Sequence, residues 1–459
     1  MGVLTGAAAP GAVAGPEDEV RAQTFMLPLG APVLGLKELR EGEVRNRLAA
    51  ESRQLAAAGT ALETVGPAAG YGRRAVTPAA APAPVVARGV KAAPPAAVSY
   101  PDPARTMPLA ECKTHMARDE AIYIKSRFAV CTGIQVTTIW MRSNGNPIGT
   151  SSFALYIRGT VKENDRTIRF DYDATDFKKI NTTATSGQKI KIEGTVPQDW
   201  PARANPKLSG DLPVTKTFDQ LQQMPSAHFT HTMRYAPGQG SGTGSADVVF
   251  AVYQPVVTST LPPGWLGDSP AVGKPAMIAP RWDAGKYLGN PTGGGNPANK
   301  GAGSFSYLAT LVYSTKATAP ERGVAAHIKK AYTTPGAMKP TNANKKIAGQ
   351  TPSEPLHRLF SDAQRRKDNR ARAVSNCRRY FGPGYSSNNT KDCDEFPFAT
   401  TYEGCAQPEY DVHAEKNNFS VLPVNKRQNG DAGTLLGQFY KKNRIIDGMD
   451  DGFLVKITS

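Results

Sequence analysis

The sequence predicts a multidomain protein: an all-β antiparallel sandwich and a small α+β domain at the C-terminus, preceded by a disordered N-terminal region. Three observations predict this organisation. Residues 1–105 are rich in Ala and Pro, and residues 106–317 alternate apolar and polar side chains with period two. Residues 351–459 combine a helical pattern with short strands. A length of 459 residues fits about three units, at roughly 150 residues per domain.

The N-terminal region, residues 1–105, offers few large side chains for a core. Residues 79–82 and 92–95, for example, contain only Ala and Pro. Such stretches cannot offset the entropy lost on ordering, so we expect most of the region to be a linker. Residues 36–57 are an exception, because their leucines recur at near-helical spacing and predict a short helix. The first fifteen residues resemble the apolar part of a secretory signal but lack its basic start.

The β-sandwich is predicted over residues 106–317. Phe153, Leu155 and Ile157 alternate with smaller or polar neighbours, which is typical of a half-buried strand. Similar runs occur at 122–130, 134–141, 168–172, 189–196, 247–257 and 305–315. About seven short strands with polar connections favour a sandwich. Residues 318–350 are polar and Lys-rich, and we interpret them as a second linker.

The net charge of the chain is +16, from 55 Lys and Arg against 39 Asp and Glu. This excess indicates an anionic partner, either nucleic acid or an anionic surface. No stretch approaches the roughly 20 continuous apolar residues of a membrane span, so an integral membrane protein is excluded.

The five cysteines form two clusters, at 112 and 131 and at 377, 393 and 405. The absence of a Cys-x-x-Cys pair argues against a structural zinc site. Close clusters favour local disulfides, which form in oxidising compartments outside the cytoplasm, over buried free thiols. Cys112 and Cys131 flank the first predicted strand of the sandwich and could form one such bridge. An odd number leaves at least one thiol unpaired.

The terminal domain, residues 351–459, begins with a predicted helix over residues 356–379. One side of this helix is apolar, and the other carries Arg365, Arg366, Lys367, Arg370 and Arg372. A basic helix face is either a solvated surface or a surface that follows the phosphates of a nucleic acid. The sequence leaves both interpretations open.

A group of acidic residues follows in this domain. Asp394 and Glu395 stand directly before an aromatic–Pro–aromatic turn, Glu403 follows nine residues after Asp394, and Asn429 comes about 35 residues downstream, before a helical pattern. A metal-dependent phosphodiesterase needs such groups, because one carboxylate removes a proton from water and an amide oxygen helps to hold a hard cation. Paired acids in a solvated turn are the alternative.

The motif from Cys393 to Ala399 with Glu403 and Gly404, followed by Asn429 with Ala432 and Gly433, resembles the NucA/NucB family of secreted bacterial deoxyribonucleases. The resemblance covers the last ~100 residues. It implies a small variant of the ββα-metal nuclease fold, in which an acidic residue replaces the histidine base and a divalent cation, Mg²⁺ or Mn²⁺, lies near the asparagine.

Carried over by position, the resemblance implies Asp394, Glu395 and Asn429 as catalytic residues and Glu395, Glu403 and Asn429 as metal ligands. Asp394 is our preferred base, although the sequence does not distinguish its role from that of Glu395. Two positions depart from the family pattern. Gln428 stands where the family has an acid, which could weaken cation binding. Cys405 stands where a small residue is usual, and it could pair with Cys393 or Cys377.

The sequence therefore predicts a secreted, metal-dependent endonuclease that hydrolyses DNA with little sequence specificity, because phosphate contacts do not read bases. The candidate phosphate contacts are Arg365, Arg366, Arg370, Lys426, Arg427, Lys441, Lys442 and Arg444. One alternative is a non-catalytic surface or adhesion protein that binds DNA or acidic polymers. A second is the nuclease tip of a delivered toxin, which would bring an immunity or inhibitor protein as a partner.

Overall fold

The structure, a computed structural model, describes residues 20–60, 98–117, 121–240 and 247–459. The signal-like first fifteen residues and the Ala/Pro runs at 79–82 and 92–95 lie outside the described residues. Within the described ranges, the helices are too short or too polar to cross a membrane.

The described chain is mostly β-sheet, with several sheets and a few helices, as expected for a β-rich multidomain protein. The strands are β1 Val20–Leu27, β2 Ile122–Ser126, β3 Ala129–Arg142, β4 Pro147–Val161, β5 Ile168–Asn181, β6 Lys189–Trp200, β7 Lys207–Gly210, β8 Val214–Thr217, β9 Ala227–Arg234, β10 Val248–Thr260, β11 Trp265–Leu266, β12 Ala271–Gly273, β13 Pro280–Asp283, β14 Ala302–Phe305, β15 Ala309–Ser314, β16 Leu356–His357, β17 Lys391–Phe396, β18 Ser420–Asn425 and β19 Gly452–Thr458. The α-helices are α1 Leu36–Leu39, α2 Gly42–Thr60, α3 Leu109–Met116, α4 Phe218–Gln223, α5 Arg322–Thr333, α6 Ala363–Phe381, α7 Gln407–Tyr410 and α8 Lys426–Lys442.

Two large sheets face each other across a common core. The first has the order β11-β1-β3-β4-β5-β9-β7, with β2 also paired to β3, and the second has the order β14-β13-β10-β6-β8, with β12 paired to β10. Phe153 and Ile157 of the first sheet share one buried cluster with Ile190 and Ile192 of the second. The period-two alternation read from β4 thus places one side of the sheet in the core.

The N-terminal region differs from the expected linker where the structure describes it. Strand β1 pairs antiparallel with β3 along its whole length. Phe25 and Leu27 pack with Leu39 and Leu48 of the two helices that follow, in the part of the chain where the leucine spacing predicts a helix. The average composition of residues 1–105 conceals this strand, whose apolar side chains are sufficient for burial against the first sheet.

The C-terminal unit begins before residue 351. Strand β15 pairs in parallel with the last strand, β19, and β16 completes this three-stranded sheet. The run at 305–315 is therefore divided, because β14 belongs to the sandwich and β15 to the C-terminal unit. The segment 318–350, expected as a linker, contains α5, which buries Val324, Ala325 and Ile328. The exposed lysines of this segment give it the polar composition of a linker, although its helix is amphipathic.

The helix expected over residues 356–379 begins later than predicted. Leu356 and His357 form β16, and α6 starts at Ala363. Asp362 is the N-cap residue, and its side chain accepts a hydrogen bond from the backbone N–H of Arg365. This cap satisfies an N–H group that has no partner within the helix, which fixes the start of α6.

Buried ion pairs join the sandwich to the C-terminal unit. Asp451 lies 2.7 Å from a guanidinium nitrogen of Arg127 and 2.7 Å from one of Arg281, and all three side chains are at most 5% exposed. Arg444 pairs with Asp283 in the same interface. Burial lowers the pKa of Arg127 to about 10. Because unpaired charges are costly in such an interior, the two units are held in a fixed relation.

Candidate active site

The β17–β18 hairpin positions the two adjacent acids. The strands pair antiparallel, with Asp394 opposite Leu422 and Glu395 opposite Val421. Because successive side chains of a strand point to opposite faces, the two carboxylates enter different surroundings. Asp394 contacts α5, and Glu395 contacts α6.

Asp394 is hydrogen-bonded to a histidine that the sequence did not single out. The Oδ2 atom of Asp394 lies 2.6 Å from Nδ1 of His327 on α5, and Nε2 of His327 lies 2.7 Å from Oγ of Ser420 on β18. His327 and Ser420 are fully buried, and Asp394 is 5% exposed. A carboxylate only accepts hydrogen bonds, so we infer that Nδ1–H donates to Asp394 and the Ser420 hydroxyl donates to Nε2.

Glu395 is paired with a cation from α6. A guanidinium nitrogen of Arg370 lies 2.5 Å from Glu395 and also donates to the carbonyl oxygen of Cys393. Burial raises the pKa of Glu395 to about 7; the neighbouring charge of Asp394 also raises it, whereas Arg370 lowers it. The two acids of the motif are therefore held by groups of different charge and chemistry.

Asn429 lies in the first turn of α8, near the position expected from the sequence. Asn425 caps the helix by accepting hydrogen bonds from the N–H groups of Arg427 and Gln428. Asn429 shares a cavity of about 220 Å³ with both acids and Arg370. The cavity is lined by Tyr313, Val324, Arg370, Asp394, Glu395, Phe398, Ala399, Thr400, Asn429, Ala432, Gly433 and Leu436.

Glu403, expected as a metal ligand, is engaged elsewhere. Its carboxylate lies 2.7 Å from Nδ1 of His357 and accepts a hydrogen bond from the backbone N–H of the same residue. Glu403 thereby ties its turn to β16. The next position is occupied by glycine, Gly404, because a Cβ atom there would lie 2.4 Å from the buried side chain of Asn369. The expected triplet of Glu395, Glu403 and Asn429 is therefore not brought together around the cavity.

The donor set around the cavity fits a hard cation in part. Across the described residues, no three His, Cys, Asp or Glu side chains are grouped so that they could hold a metal ion. Asp394, Glu395 and Asn429, whose side chains carry oxygen atoms, do line the cavity. Mg²⁺ is commonly held by one or two carboxylates, with water and substrate phosphate as its other ligands, and Asp394 and Glu395 are carboxylates of this kind.

The C-terminal cysteine cluster contains one disulfide. Cys377 of α6 is bonded to Cys393 of β17, directly before Asp394, and Cys405 is a buried free thiol. Burial raises the pKa of the Cys405 thiol well above its ordinary value. The second disulfide joins Cys112 and Cys131. The predicted local disulfides are present in both clusters, and the pairing that the sequence left open is Cys377–Cys393, with Cys405 as the unpaired thiol.

Both halves of the motif therefore contribute to one cavity at the junction of β17, α6 and α8, through Asp394 and Glu395 from the first and Asn429 from the second, whereas Glu403 and Gly404 do not line it. Residues 343–455 match the family model Deoxyribonuclease NucA/NucB. This match confirms the resemblance at the C-terminus and covers about a quarter of the chain. No curated protein matches the chain, and no solved structure matches it.

Part of the cavity lining comes from residues before the matched range. Tyr313 of β15 and Val324 of α5 line the cavity, and His327 of α5 contacts Asp394. The sequence does not indicate these residues, because the pattern of their segments predicts a sandwich strand and a linker. A histidine among the apolar positions of an amphipathic helix was the available signal. Gln428 of α8, at the position that departs from the family, packs toward Gly323 of α5.

The basic residues expected to contact phosphate fall into four groups. Arg370 lines the cavity, and Lys426, Arg427 and Lys441 are exposed on or at the ends of α8. Arg365 and Arg366 are half-buried and donate to the carbonyl oxygens of Tyr402 and Phe360, and Lys442 donates to that of Tyr100. Arg444 is wrong as a phosphate contact, because it is 3% exposed and paired with Asp283 across the interface.

Proposed function

We propose that the protein is a secreted, divalent-cation-dependent endonuclease that hydrolyses phosphodiester bonds in DNA. The observation that carries this proposal is the convergence of Asp394, Glu395 and Asn429 of the NucA/NucB motif on one cavity. The strand–strand–helix order of β17, β18 and α8 supports it, since this is the arrangement that the family resemblance implies. The two disulfides support the extracytoplasmic location.

Asp394 is the proposed general base. His327 donates to Oδ2 of Asp394 and holds the carboxylate against α5, so Oδ1 remains to accept the proton of the attacking water. Orientation of this kind lowers the barrier because the acceptor need not reorganise during the reaction. His327 acts through Asp394 and is a positioning residue. The proton that leaves the water resides on Asp394 until solvent removes it.

Glu395 and Asn429 are the proposed cation-holding groups, with Asp394 beside them. A divalent cation bound there would neutralise charge developing on the scissile phosphate. Arg370 keeps Glu395 in place through their ion pair and adds a positive charge to the cavity wall. The cavity lies by the first turn of α8, where the helix dipole favours an anion.

The substrate is the sugar-phosphate backbone, and the basic character of the chain suits it. A cavity lined by carboxylates repels a polyanion, whereas a net charge of +16 attracts one. Contacts to phosphate position a strand without reading base edges, so we expect cleavage with little sequence preference.

A plasmid assay tests this function against the alternative of a DNA-binding protein without catalysis. Supercoiled plasmid is incubated with the full chain in Mg²⁺ or Mn²⁺, and the reaction is repeated in EDTA. We expect nicked and linear DNA with the metals and intact plasmid in EDTA. Retarded but uncut plasmid under all conditions would support the binding protein and refute the enzyme. Cutting that persists in EDTA would refute the metal requirement.

A further inference from the structure

A second depression lies along α6, beside the catalytic cavity. It is an open surface region of about 660 Å³ on the exposed side of the helix, and all of its lining residues belong to α6. We call it the α6 groove; it is lined by Ala363, Arg366, Lys367, Arg370, Ala371, Val374, Ser375 and Arg378. Four of these eight residues are cationic, and none is acidic.

The cations of the α6 groove follow one stripe of the helix. Arg366, Arg370 and Arg378 are separated by four and eight residues, and side chains at such intervals lie on the same face, about 6 Å apart per step of four. Val374 occupies the remaining position of the stripe and is half-buried. The groove therefore presents guanidinium groups on either side of an apolar patch, which suits a chain of phosphates joined by sugars.

Arg370 connects the α6 groove to the catalytic cavity. It lines both depressions, and it is paired with Glu395 at the cavity wall. The Cys377–Cys393 disulfide joins the same helix to β17, one residue from Asp394. The disulfide and Arg370 thus tie the helix that carries the groove to the strand that carries the acids.

We propose that the α6 groove binds the sugar-phosphate backbone of the DNA strand that flanks the bond to be cleaved. This inference rests on the proposed function and assigns the path of its substrate. Arg366 and Arg378 bind phosphate oxygens, because a guanidinium has five N–H donors, and the bond from Arg366 to the Phe360 carbonyl leaves the others for a phosphate. Lys367 adds a point charge, and Val374 and Ala371 contact the sugars. The groove contributes affinity and leaves the chemistry to the cavity.

Binding is measured on the full chain carrying Asp394→Asn, so that cleavage does not interfere. The probe is a fluorescein-labelled single-stranded DNA of 20 nucleotides, titrated by anisotropy at several salt concentrations. With Arg366→Ala and Arg378→Ala added, we expect Kd to rise at least about tenfold and the slope of log K against log salt to fall by about 1.4, because each lost phosphate contact in a single strand removes about 0.7.

The matched control carries Lys329→Ala and Lys330→Ala, which remove the same charge from the exposed side of α5. Equal Kd values and salt slopes for the two double variants would overturn the groove. A variant with Arg366→Lys and Arg378→Lys keeps the charge and guards against loss of folding. It should restore the salt slope and only part of the affinity.

A short chromogenic diester separates this inference from the proposed function. Bis(p-nitrophenyl) phosphate is too short to occupy the α6 groove, so Arg366→Ala/Arg378→Ala with Asp394 intact should lose much less activity on this diester than on plasmid DNA. A larger loss on DNA than on the diester, together with weaker binding of the DNA, supports the groove. A parallel loss of both activities would contradict it. If the parental chain cleaves neither substrate but binds DNA through Arg366 and Arg378, the proposed function fails and the groove stands.

Discussion

Nδ1 of His327 lies 2.6 Å from Oδ2 of Asp394, and this contact joins a helix outside the NucA/NucB match to the acidic strand inside it. The ring is fully buried and is held from its other side by Ser420. One carboxylate oxygen of Asp394 is therefore held by His327, and the other remains available to a group in the cavity. The unit that performs the proposed chemistry includes β15 and α5 as well as the matched residues.

Replacement of His327 should lower turnover more than substrate affinity. His327→Leu removes the donor to Asp394, and we expect kcat on plasmid DNA to fall by about 10- to 100-fold, as for other residues that orient catalytic groups. His327→Asn retains an N–H donor at the position of Nδ1 and should recover part of kcat. Steady-state kinetics with both variants measure kcat and KM separately.

His413→Ala is the matched control for these variants, because His413 is exposed. It should leave kcat unchanged. A His327→Leu enzyme with parental kcat would remove His327 from the mechanism. Equal losses for the Leu and Asn variants would reduce its role to packing.

The Cys377–Cys393 disulfide should stabilise the C-terminal unit and its activity together. Replacing both cysteines with Ala opens a loop with a sequence separation of 16, which corresponds to about 3 kcal/mol in the free energy of unfolding. Urea unfolding and plasmid nicking measure the two effects. Cys405→Ala is the control and should keep the parental sensitivity of nicking to reductant, since Cys405 is a free thiol. Unchanged unfolding of the double variant would contradict this prediction.

Asp451 should be important for stability, because it faces two buried guanidinium groups. Asp451→Ala leaves Arg127 and Arg281 without their carboxylate, and we expect the free energy of unfolding to fall by about 3–5 kcal/mol. Asp102→Ala removes an exposed partner of Lys442 and should cost less than about 1 kcal/mol. Urea denaturation compares the variants, and equal effects would refute the importance of the buried cluster.

The same aspartate sets a pH dependence. Burial alone would raise the pKa of Asp451, but Arg127 and Arg281 lower it below the ordinary value. The folded state thus favours the carboxylate, and its contribution is complete above about pH 4 and declines as the pH falls below that value. Denaturation between pH 7 and pH 2 should show a decline that is smaller in Asp451→Ala. A decline of the same size in both proteins would contradict the assignment.

The sequence predicted the features that have a local signal. Period-two alternation gave the strands around Phe153, and the acidic motif indicated Asp394, Glu395 and Asn429, which do share a cavity. The alternation is local because each strand must present one face to the core. The acidic part of the motif is local because Asp394 and Glu395 are adjacent in one strand.

The sequence could not predict contacts between segments that are distant along the chain. His327 meets Asp394 across 67 residues, and Arg444 meets Asp283 across 161 residues. Nothing near Arg444 in the sequence indicates that a carboxylate from another unit neutralises it. The sequence therefore predicted Arg444 as a phosphate contact. Glu403 likewise gave no sign that His357 would occupy its carboxylate.

The most direct test of the account is plasmid nicking by Asp394→Asn in Mg²⁺. Asn retains an oxygen that accepts from His327 but cannot take a proton from water, so the fold should persist while the chemistry stops. We expect no nicking above background, with near-ultraviolet circular dichroism and DNA binding like those of the parental protein. Nicking by Asp394→Asn at the parental rate would show that Asp394 is not the base and would contradict the proposed mechanism.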